Sequence, residues 1–194
     1  GEVTRDLMHY LNSEVFLHFL TELTGIDEAL IGDPYFEGGG QHETKPGGYL
    51  KIHADFNKHR KLGLDRRLNV LIYLNKEWDE SYGGFLELWD RKMQHCVVSV
   101  APIFNRVVIF ETDDSSFHGL PDPLTCPAGV TRKSLALYYY SNGRACDRAR
   151  RDSEEHGTLF VSRPFSAEDR RANSLLNDPA QFAKKILPSW IVGS

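Results

Sequence analysis

The chain has 194 residues, of which 41% are hydrophobic and 26% are charged, and its net charge is -4 at pH 7. These values are typical of a soluble globular domain with one sizeable core. The negative charge argues against a nucleic-acid partner, and no apolar run approaches the roughly 20 residues that cross a bilayer. We therefore expect a single domain over residues 1–194 with no nucleic-acid or membrane partner.

Three cysteines, Cys96, Cys126 and Cys146, lie far apart and form no CxxC pair. Their number and spacing favour reduced thiols over a disulfide framework or a zinc site. The chain opens without the basic and apolar regions of a signal peptide. We therefore expect a cytoplasmic protein, although the sequence does not define its oligomeric state.

Residues 1–30 have the periodicity of two short helices. One apolar stripe contains Leu7, Tyr10 and Leu11, and the second contains Val15, Phe16, Phe19, Leu20 and Leu23. Asn12 or Ser13 is suited to cap the second helix, and Gly25 is suited to end it. We expect both helices to pack on the core and to take no part in catalysis.

Residues 31–143 have the pattern of short strands separated by Gly, Pro, Asn and Asp. The predicted strands cover residues 49–55, 68–74, 85–89, 96–100, 107–111 and 132–140. Six or more short strands of this kind favour an all-β sandwich or jelly roll, with the helices on its flank.

Residues 144–194 are predicted to form a helical cover on this β-core. A charged stretch over residues 144–155 is typical of a solvated segment. Ser166 and Asp169 resemble a capping box at a helix start. Asp178 and Pro179 indicate the start of a further helix, and Pro188 its end.

The strongest local pattern is His53-Ala54-Asp55 on the first of these strands. Residues two apart on a strand project from the same face, so an imidazole and a carboxylate lie side by side. With a second histidine they would form the facial triad of a non-haem iron site. His118 follows a predicted strand and is the candidate for that third ligand. Most of the other histidines, His59 among them, are expected at the surface.

A second pattern, Arg132-Lys133-Ser134, opens the last predicted strand. Alternation places Arg132 and Ser134 on one face, together with Ala136 and Tyr138. A guanidinium with a hydroxyl nearby is suited to bind a carboxylate. A salt bridge to an acidic residue of the chain is the structural alternative.

These patterns occur in an order that resembles the prolyl-4-hydroxylase-like branch of the 2-oxoglutarate/iron(II) dioxygenases. The resemblance covers about residues 38–141 and rests on five motifs: GGYLKIHAD, RRLNVLIYLNKEWDESYGGFLELW, PIFNRVVIF, FHG and TRKSLALYYY. The segment from Tyr73 to Asp79, followed by Gly83-Gly84, is similar to prolyl hydroxylases of oxygen sensing.

The resemblance implies a double-stranded β-helix of jelly-roll type whose iron is bound by His53, Asp55 and His118. It implies that Arg132, with Ser134 and Tyr73, binds the distal carboxylate of 2-oxoglutarate. Tyr49 matches an aromatic position near the HxD strand and is as compatible with a pocket wall as with a ligand. The segment between His118 and Arg132 is longer than in many members, and a hairpin over residues 121–129 would still bring Arg132 to the site.

The implied cofactors are Fe(II), 2-oxoglutarate as co-substrate and ascorbate as a possible reductant. The implied reaction hydroxylates an unactivated C–H bond of an amino acid, a peptidyl (prolyl-type) residue or a natural-product intermediate, with decarboxylation of 2-oxoglutarate to succinate. Asp55 favours hydroxylation, because halogenating members lack this carboxylate. Desaturation, cyclisation and epimerisation use the same triad and stay open. A cupin-like, non-catalytic module fits less well, because it predicts an HxH pair and no carboxylate-binding arginine.

Specificity residues are expected on loops around the mouth of the barrel. Gln41, Asn57 and Arg60 flank the HxD strand, and their polar character suits an anionic or zwitterionic small molecule or an ordinary solvated loop. Trp89 faces either the pocket or the core, because alternation alone does not decide between the two faces.

Overall fold

The computed structural model of the protein describes residues 1–144 and 154–176. Its strands, in chain order, are β1 (Ile31–Gly32), β2 (Gly40–Thr44), β3 (Leu50–Ala54), β4 (Asp65–Tyr73), β5 (Leu86–Trp89), β6 (Cys96–Val100), β7 (Val107–Glu111), β8 (His118–Leu120), β9 (Arg132–Ser141) and β10 (Leu159–Phe160). The helices are α1 (Glu2–Leu11), α2 (Glu14–Thr24) and α3 (Ala167–Leu176), with one 3₁₀ turn at Glu80–Tyr82.

The strands form two five-stranded sheets in which every pair is antiparallel. The first sheet has the order β1-β9-β4-β7, with β2 also paired to β9, and the second has the order β10-β3-β8-β5-β6. The sheets face each other, since the ring of Phe110 on β7 lies 4.8 Å from that of His118 on β8. This arrangement confirms the predicted all-β core with flanking helices, a double-stranded β-helix of jelly-roll type.

All six predicted strands are present, whereas β1, β2, β8 and β10 were not predicted. Three of these four have only two or three residues, too few to show alternation. Strand β2 consists of Gly40-Gln41-His42-Glu43-Thr44 and has no apolar face, yet it pairs with β9 along its whole length. Pairing with a neighbouring strand, and not local pattern, therefore defines these elements.

Helix α2 begins and ends as predicted, with Ser13 at its N-cap and Gly25 in the left-handed conformation at its C-cap. Both N-terminal helices cover the outer face of the first sheet, where Met8, Leu11 and Leu20 join a core cluster with residues of β4 and β9. The predicted stripes were only partly right, because Leu7, Tyr10, Val15, Phe19 and Leu23 are exposed. Apolar residues occur around much of α2, so periodicity could not select the face that meets the sheet.

The C-terminal segment begins, where it is described, with a strand and not with a helix. Strand β10 pairs with β3, and Phe160 lies opposite His53. The predicted cap is present, since the hydroxyl of Ser166 accepts the backbone N–H of Asp169. The helix predicted from Asp178, and most of the charged stretch, lie outside the described residues. None of the helices in the described ranges has both the length and the apolar character needed to cross a bilayer.

The insert over residues 121–129 is a packed loop and does not form the expected hairpin. Leu124 and Cys126 pack with Trp78 in a small buried cluster. The backbone of Leu124 exchanges hydrogen bonds with Gly47 and Gly48, 2.8 and 3.0 Å long. These contacts hold the loop against the turn before β3, so the extra length does not displace Arg132 at the start of β9.

Candidate metal centre and co-substrate pocket

Two histidines and one aspartate converge on the inner face of the second sheet. His53 on β3 lies opposite His118 on β8, and their ring centroids are 4.5 Å apart. Asp55 follows β3 directly, and one potential ligand atom from each of the three side chains falls within 4.8 Å of the others. The structure therefore brings together all three residues that the sequence selected as metal ligands.

Backbone carbonyls select the tautomer of both imidazoles. Nδ1 of His53 lies 2.9 Å from the carbonyl oxygen of Lys51, and Nδ1 of His118 lies 2.9 Å from that of Ser116. Because a carbonyl oxygen only accepts, each Nδ1 carries the proton and donates it. Each Nε2 therefore presents its lone pair to the space shared with Asp55, as a metal-binding histidine requires.

Asp55 is fixed from the side of the first sheet by Arg66 and Asn69, both on β4. Nη2 of Arg66 lies 3.0 Å, and Nδ2 of Asn69 2.8 Å, from Oδ2 of Asp55. Arg66 also donates to Oδ1 of Asn69 from Nε at 3.2 Å and from Nη2 at 2.7 Å. Its guanidinium carbon is 4.3 Å from the ring centroid of Phe56 and 3.5 Å from that of Tyr138.

A bulge in β4 makes this contact possible. Residues three apart on a regular strand point to opposite faces. The pairing with β9 shifts between Arg66 and Leu68, however, so that Arg66 lies opposite Tyr140 while Asn69 lies opposite Tyr138. One extra residue in the strand reverses the alternation, and both side chains therefore reach Asp55.

Electrostatics set the protonation states that a metal site needs. Burial would by itself raise the pKa of Asp55, but the charge of Arg66 and contacts with His118 and His53 hold it well below the usual range. Burial lowers the pKa of His53, and the nearby His118 lowers it further. The centre therefore offers a carboxylate and a neutral imidazole near neutral pH, the forms that coordinate metals.

The predicted co-substrate residues lie together on the inner face of the first sheet. Ser134 of β9 lies opposite Tyr73 of β4, and the guanidinium carbon of Arg132 is 4.9 Å from the Tyr73 ring centroid. All three side chains are buried. The other face of β9, with Leu135, Leu137 and Tyr139, packs on the helices, as the alternation predicted.

Gly84 determines how Arg132 is held. Its carbonyl accepts Nε of Arg132 at 2.7 Å. Gly84 has φ +71°, and a Cβ at this position would lie 2.6 Å from Leu124 and 3.0 Å from Cδ of Arg132. Only glycine allows this close approach of the backbone to the Arg132 side chain.

A family model described as the 2OG-Fe(II) oxygenase superfamily matches residues 40–140, just over half of the chain. The chain belongs to this superfamily. The matched range includes the three metal-site residues as well as Tyr73, Arg132 and Ser134. The family model confirms the predicted resemblance to the 2-oxoglutarate/iron(II) oxygenases.

A relative of the oxygenase is the mouse (Mus musculus) prolyl 3-hydroxylase OGFOD1, which is 32% identical over 79 residues. The match covers 39% of this chain and 14% of the mouse protein, so the chain spans a small part of that relative's length. The predicted resemblance to prolyl hydroxylases is thus confirmed.

Two solved structures are also similar to the oxygenase. A Trichoplax adhaerens prolyl hydroxylase in complex with a hypoxia inducible factor peptide is 26% identical, with a TM-score of 0.42, covering 58% of this chain and 46% of that one. HygX from Streptomyces hygroscopicus, with nickel and 2-oxoglutarate bound, is 15% identical, with a TM-score of 0.46, covering 83% and 81%.

The residues of the oxygenase fit both cofactors of its family. Two Nε2 lone pairs and a carboxylate are the donor set of a facial iron site. The hydroxyl of Tyr73 is buried, and no described residue is its hydrogen-bond partner. A buried hydroxyl beside a buried guanidinium is costly unless an acceptor arrives, and a carboxylate of 2-oxoglutarate supplies one.

The remaining predicted residues of the oxygenase lie outside these two groups. Tyr49 is exposed before β3, with Nζ of Lys51 4.8 Å from its ring centroid. Gln41 is exposed on β2 opposite Leu135, while its neighbour His42 lies opposite Ser134. The roles of Tyr49 and Gln41 stay predictions. Gln41 shares the face of Leu135, whereas its neighbour His42 shares the face of Ser134.

Asn57, Arg60 and Trp89 already have partners within the chain. The Asn57 amide donates to the carbonyl of Glu154 at 3.0 Å and accepts the N–H of His156 at 3.1 Å. Arg60 is exposed and contacts Glu37 at 3.2 Å, and Trp89 donates to Glu87 at 2.9 Å. Asn57 thus joins the loop after β3 to the segment before β10.

Sequence reasoning about the oxygenase missed three kinds of residue. His59, expected at the surface, is fully buried, and its Nε2 lies 3.1 Å from Oδ1 of Asp33. Phe160 packs on His53 with ring centroids 5.6 Å apart. Arg66 and Asn69 were also missed, although Asn69, as the polar residue within the apolar run over residues 68–74, was a usable signal.

Proposed function

We propose that this protein is an iron(II)- and 2-oxoglutarate-dependent hydroxylase of unactivated C–H bonds, with a prolyl-type residue of a peptide as the favoured substrate. The observation that carries the proposal is the convergence of His53, Asp55 and His118 within 4.8 Å. Membership of the superfamily supports the same reaction class.

In this proposal Nε2 of His53, Nε2 of His118 and one oxygen of Asp55 bind the iron. Arg132, Tyr73 and Ser134 bind the distal carboxylate of 2-oxoglutarate. When bound, iron and co-substrate activate dioxygen, convert 2-oxoglutarate to succinate and supply the oxygen atom that enters the substrate. The chain itself orients these groups and excludes water through the aromatic rings around the site, among them Phe110 and Phe160.

Arg132 has the geometry of a carboxylate anchor and not of a structural ion pair. No salt bridge joins it to an acidic residue among those the structure describes, and its contacts are with a backbone carbonyl and an aromatic ring. Burial lowers its pKa, while Tyr73 acts in the opposite direction. A buried cation without a carboxylate of its own favours an anionic ligand.

The prolyl substrate is supported by the name of the relative OGFOD1, a prolyl 3-hydroxylase. Free amino acids and natural-product intermediates are further candidate substrates, and desaturation, cyclisation and epimerisation are further candidate reactions.

A cytoplasmic location and a single domain over residues 1–194 stay predictions. The free thiols of Cys96 and Cys126 agree with the predicted location.

The test incubates anaerobic ferrous protein with 2-oxoglutarate, ascorbate and a panel of amino acids and proline-containing peptides, and then admits oxygen. We expect succinate, and a gain of about sixteen mass units, one oxygen atom, on one panel member. A loss of about two mass units would instead identify desaturation or cyclisation. His53→Ala is the control and should form no succinate. If the parent protein makes no more succinate than this variant, with or without substrate, the proposal is wrong.

A further inference from the structure

Asp55 offers two oxygens to the metal site, and their positions do not distinguish them. Oδ1 lies 3.5 Å from Nε2 of His53, and Oδ2 lies 3.3 Å from Nε2 of His118. Both distances are near the roughly 3 Å that separates neighbouring ligand atoms around an octahedral ion. A carboxylate that bound through both oxygens would take one coordination position more than a carboxylate that bound through one.

Hydrogen bonds distinguish the two oxygens. Oδ2 accepts a hydrogen bond from Nδ2 of Asn69 at 2.8 Å and forms an ion pair with Nη2 of Arg66 at 3.0 Å. For Oδ1, the contact among the described residues is the ring of His53. The hydrogen bond from Asn69 and the ion pair with Arg66 both fall on Oδ2, so Oδ2 is engaged and Oδ1 is available.

Both of these contacts to Oδ2 depend on Asn69. It supplies one of them directly, and its own Oδ1 accepts Nε and Nη2 of Arg66 at 3.2 and 2.7 Å. The aromatic rings of Phe56 and Tyr138 flank the guanidinium, and the side-chain hydrogen bonds that the structure gives its Nε and Nη2 are those to Asn69. Loss of the Asn69 amide would therefore remove the hydrogen bond to Oδ2 and release the guanidinium that forms the ion pair with it.

We propose that Asn69 is a positioning residue that engages Oδ2 of Asp55 and thereby makes Asp55 a one-oxygen ligand of the metal. The inference rests on the proposed function, because it concerns the same centre. A triad of single-atom ligands leaves about three positions open on an octahedral ion, enough for a chelating co-substrate and dioxygen. A second bond from Asp55 would fill one of these positions.

The test counts water molecules on Mn(II), which is expected to occupy the triad without turnover. Water-proton relaxation of the Mn(II) protein measures how many exchangeable waters the ion holds. We expect about three in the parent and about two in Asn69→Leu, so relaxivity per bound ion falls by roughly one third. Leucine has a similar volume but neither donor nor acceptor, so it separates hydrogen bonding from packing.

Three variants keep the result interpretable. Asn69→His retains an N–H donor close to Nδ2 and is expected to keep the parent's water number. Asn173→Leu removes another buried asparagine, whose amide donates to Ser162 at 3.1 Å, and should leave the water number unchanged. Asn69→Ala replaces the leucine variant if that variant does not fold, and the same fall is expected.

The outcomes separate the two proposals. If His53→Ala binds Mn(II) as tightly as the parent, the ion does not use the triad and the proposed function is wrong. If the parent binds at the triad but Asn69→Leu keeps the parent's water number, the role of Asn69 is wrong and the function stands. A fall in Asn69→His equal to that in the leucine variant would also overturn the role of Asn69.

Discussion

The carboxylates of Asp55 and Asp169 both lie near strand β3 and both contact cationic side chains, but they differ in how many of their oxygens accept hydrogen bonds or form ion pairs. Asp169 on α3 lies 2.9 Å from Nζ of Lys51 and accepts Nε of Arg163 at 2.7 Å. It also accepts the backbone N–H of Arg163 at 3.2 Å and Nη2 of the same residue at 3.2 Å. Both oxygens of Asp169 are engaged, whereas Asp55 has only Oδ2 engaged.

The difference indicates which cluster is structural and which is functional. The Asp169 cluster joins α3 to β3 and is complete within the chain. By contrast, Oδ1 of Asp55 is available. Neither Nη1 of Arg66 nor the hydroxyl of Tyr73 has a hydrogen-bond partner among the described residues. Buried polar groups without partners are costly, and these two lie beside the residues predicted to bind the metal and the co-substrate, Arg66 at Asp55 and Tyr73 at Arg132.

The largest effect is expected from Asp55→Ala. Loss of a hydrogen-bond partner of a metal ligand lowers metal affinity by up to about 100-fold. Removal of the ligand itself should therefore lower Co(II) affinity by more than about 100-fold. Isothermal titration of the metal-free protein measures this. Asp65→Ala is the control, because Asp65 is a β4 carboxylate paired with Lys58 at 3.4 Å, and it should bind like the parent. A titration curve for Asp55→Ala that overlays the parent's would place the metal elsewhere.

Asp169→Ala is expected to act on stability and not on the metal. It leaves Lys51, almost fully buried, without its closest carboxylate, which should lower the free energy of unfolding by about 3 kcal/mol. Glu168→Ala is a matched control, since Glu168 contacts the same Nζ at 3.3 Å but is 74% exposed, and less than about 1 kcal/mol is expected. Urea unfolding and Co(II) titration of each variant measure the two quantities. Equal destabilisation by both variants would contradict a specific role for Asp169.

Arg132→Ala extends the comparison to a buried cation that has no carboxylate partner. Loss of a charge-assisted contact should weaken 2-oxoglutarate binding to the Mn(II) protein by about 1.5–3 kcal/mol, roughly 10- to 100-fold. Lys133→Ala changes the next residue, whose side chain is 51% exposed, and should leave affinity unchanged. Equal affinities in Arg132→Ala and the parent would show that another group holds the co-substrate.

The smallest effect is a pH dependence of the structural cluster. Burial opposes ionisation of Asp169, but Arg163 and Lys51 lower its pKa to about 2, below the usual value near 3.9. Because the folded pKa is the lower one, this stabilisation is complete above about pH 4 and is lost as the pH falls towards 2. Urea midpoints between pH 5 and 2.5 should fall less steeply in Asp169→Asn than in the parent.

Asp113, whose pKa is also lowered to about 2 despite partial burial, provides the comparison for that experiment. Its carboxylate accepts bonds from Ser115 and Ser116 within one turn. Asp113→Asn should also make the urea midpoint fall less steeply over the same pH range, without changing the contacts of Lys51. Parallel curves for the parent and Asp169→Asn would mean that Asp169 does not contribute to acid stability.

The longer strands and the His53–Asp55 pair could be predicted because their signals are local, whereas the choice of His118 was supported by the family resemblance. His53 and Asp55 share a face through the two-residue period of a strand, and Arg132 and Ser134 do the same. Tyr73 and Arg132 needed the resemblance as well, because nothing local places β4 beside β9. The exposed face of α2 and the buried His59 were mispredicted, since both depend on which surface the core presents.

The sequence by itself determined the fold class, the ligand types and the face on which each predicted ligand lies. Tertiary structure alone decided which oxygen of Asp55 is available. Arg66 and Asn69 both contact the other oxygen, Oδ2, because a bulge in β4 turns both side chains to the same face. Tertiary structure also decided that Asp169 is saturated, since its partners come from β3 and from the segment after β10. Side-chain period is a local property, whereas hydrogen-bond saturation depends on groups that are distant in sequence and meet only when the sheets close.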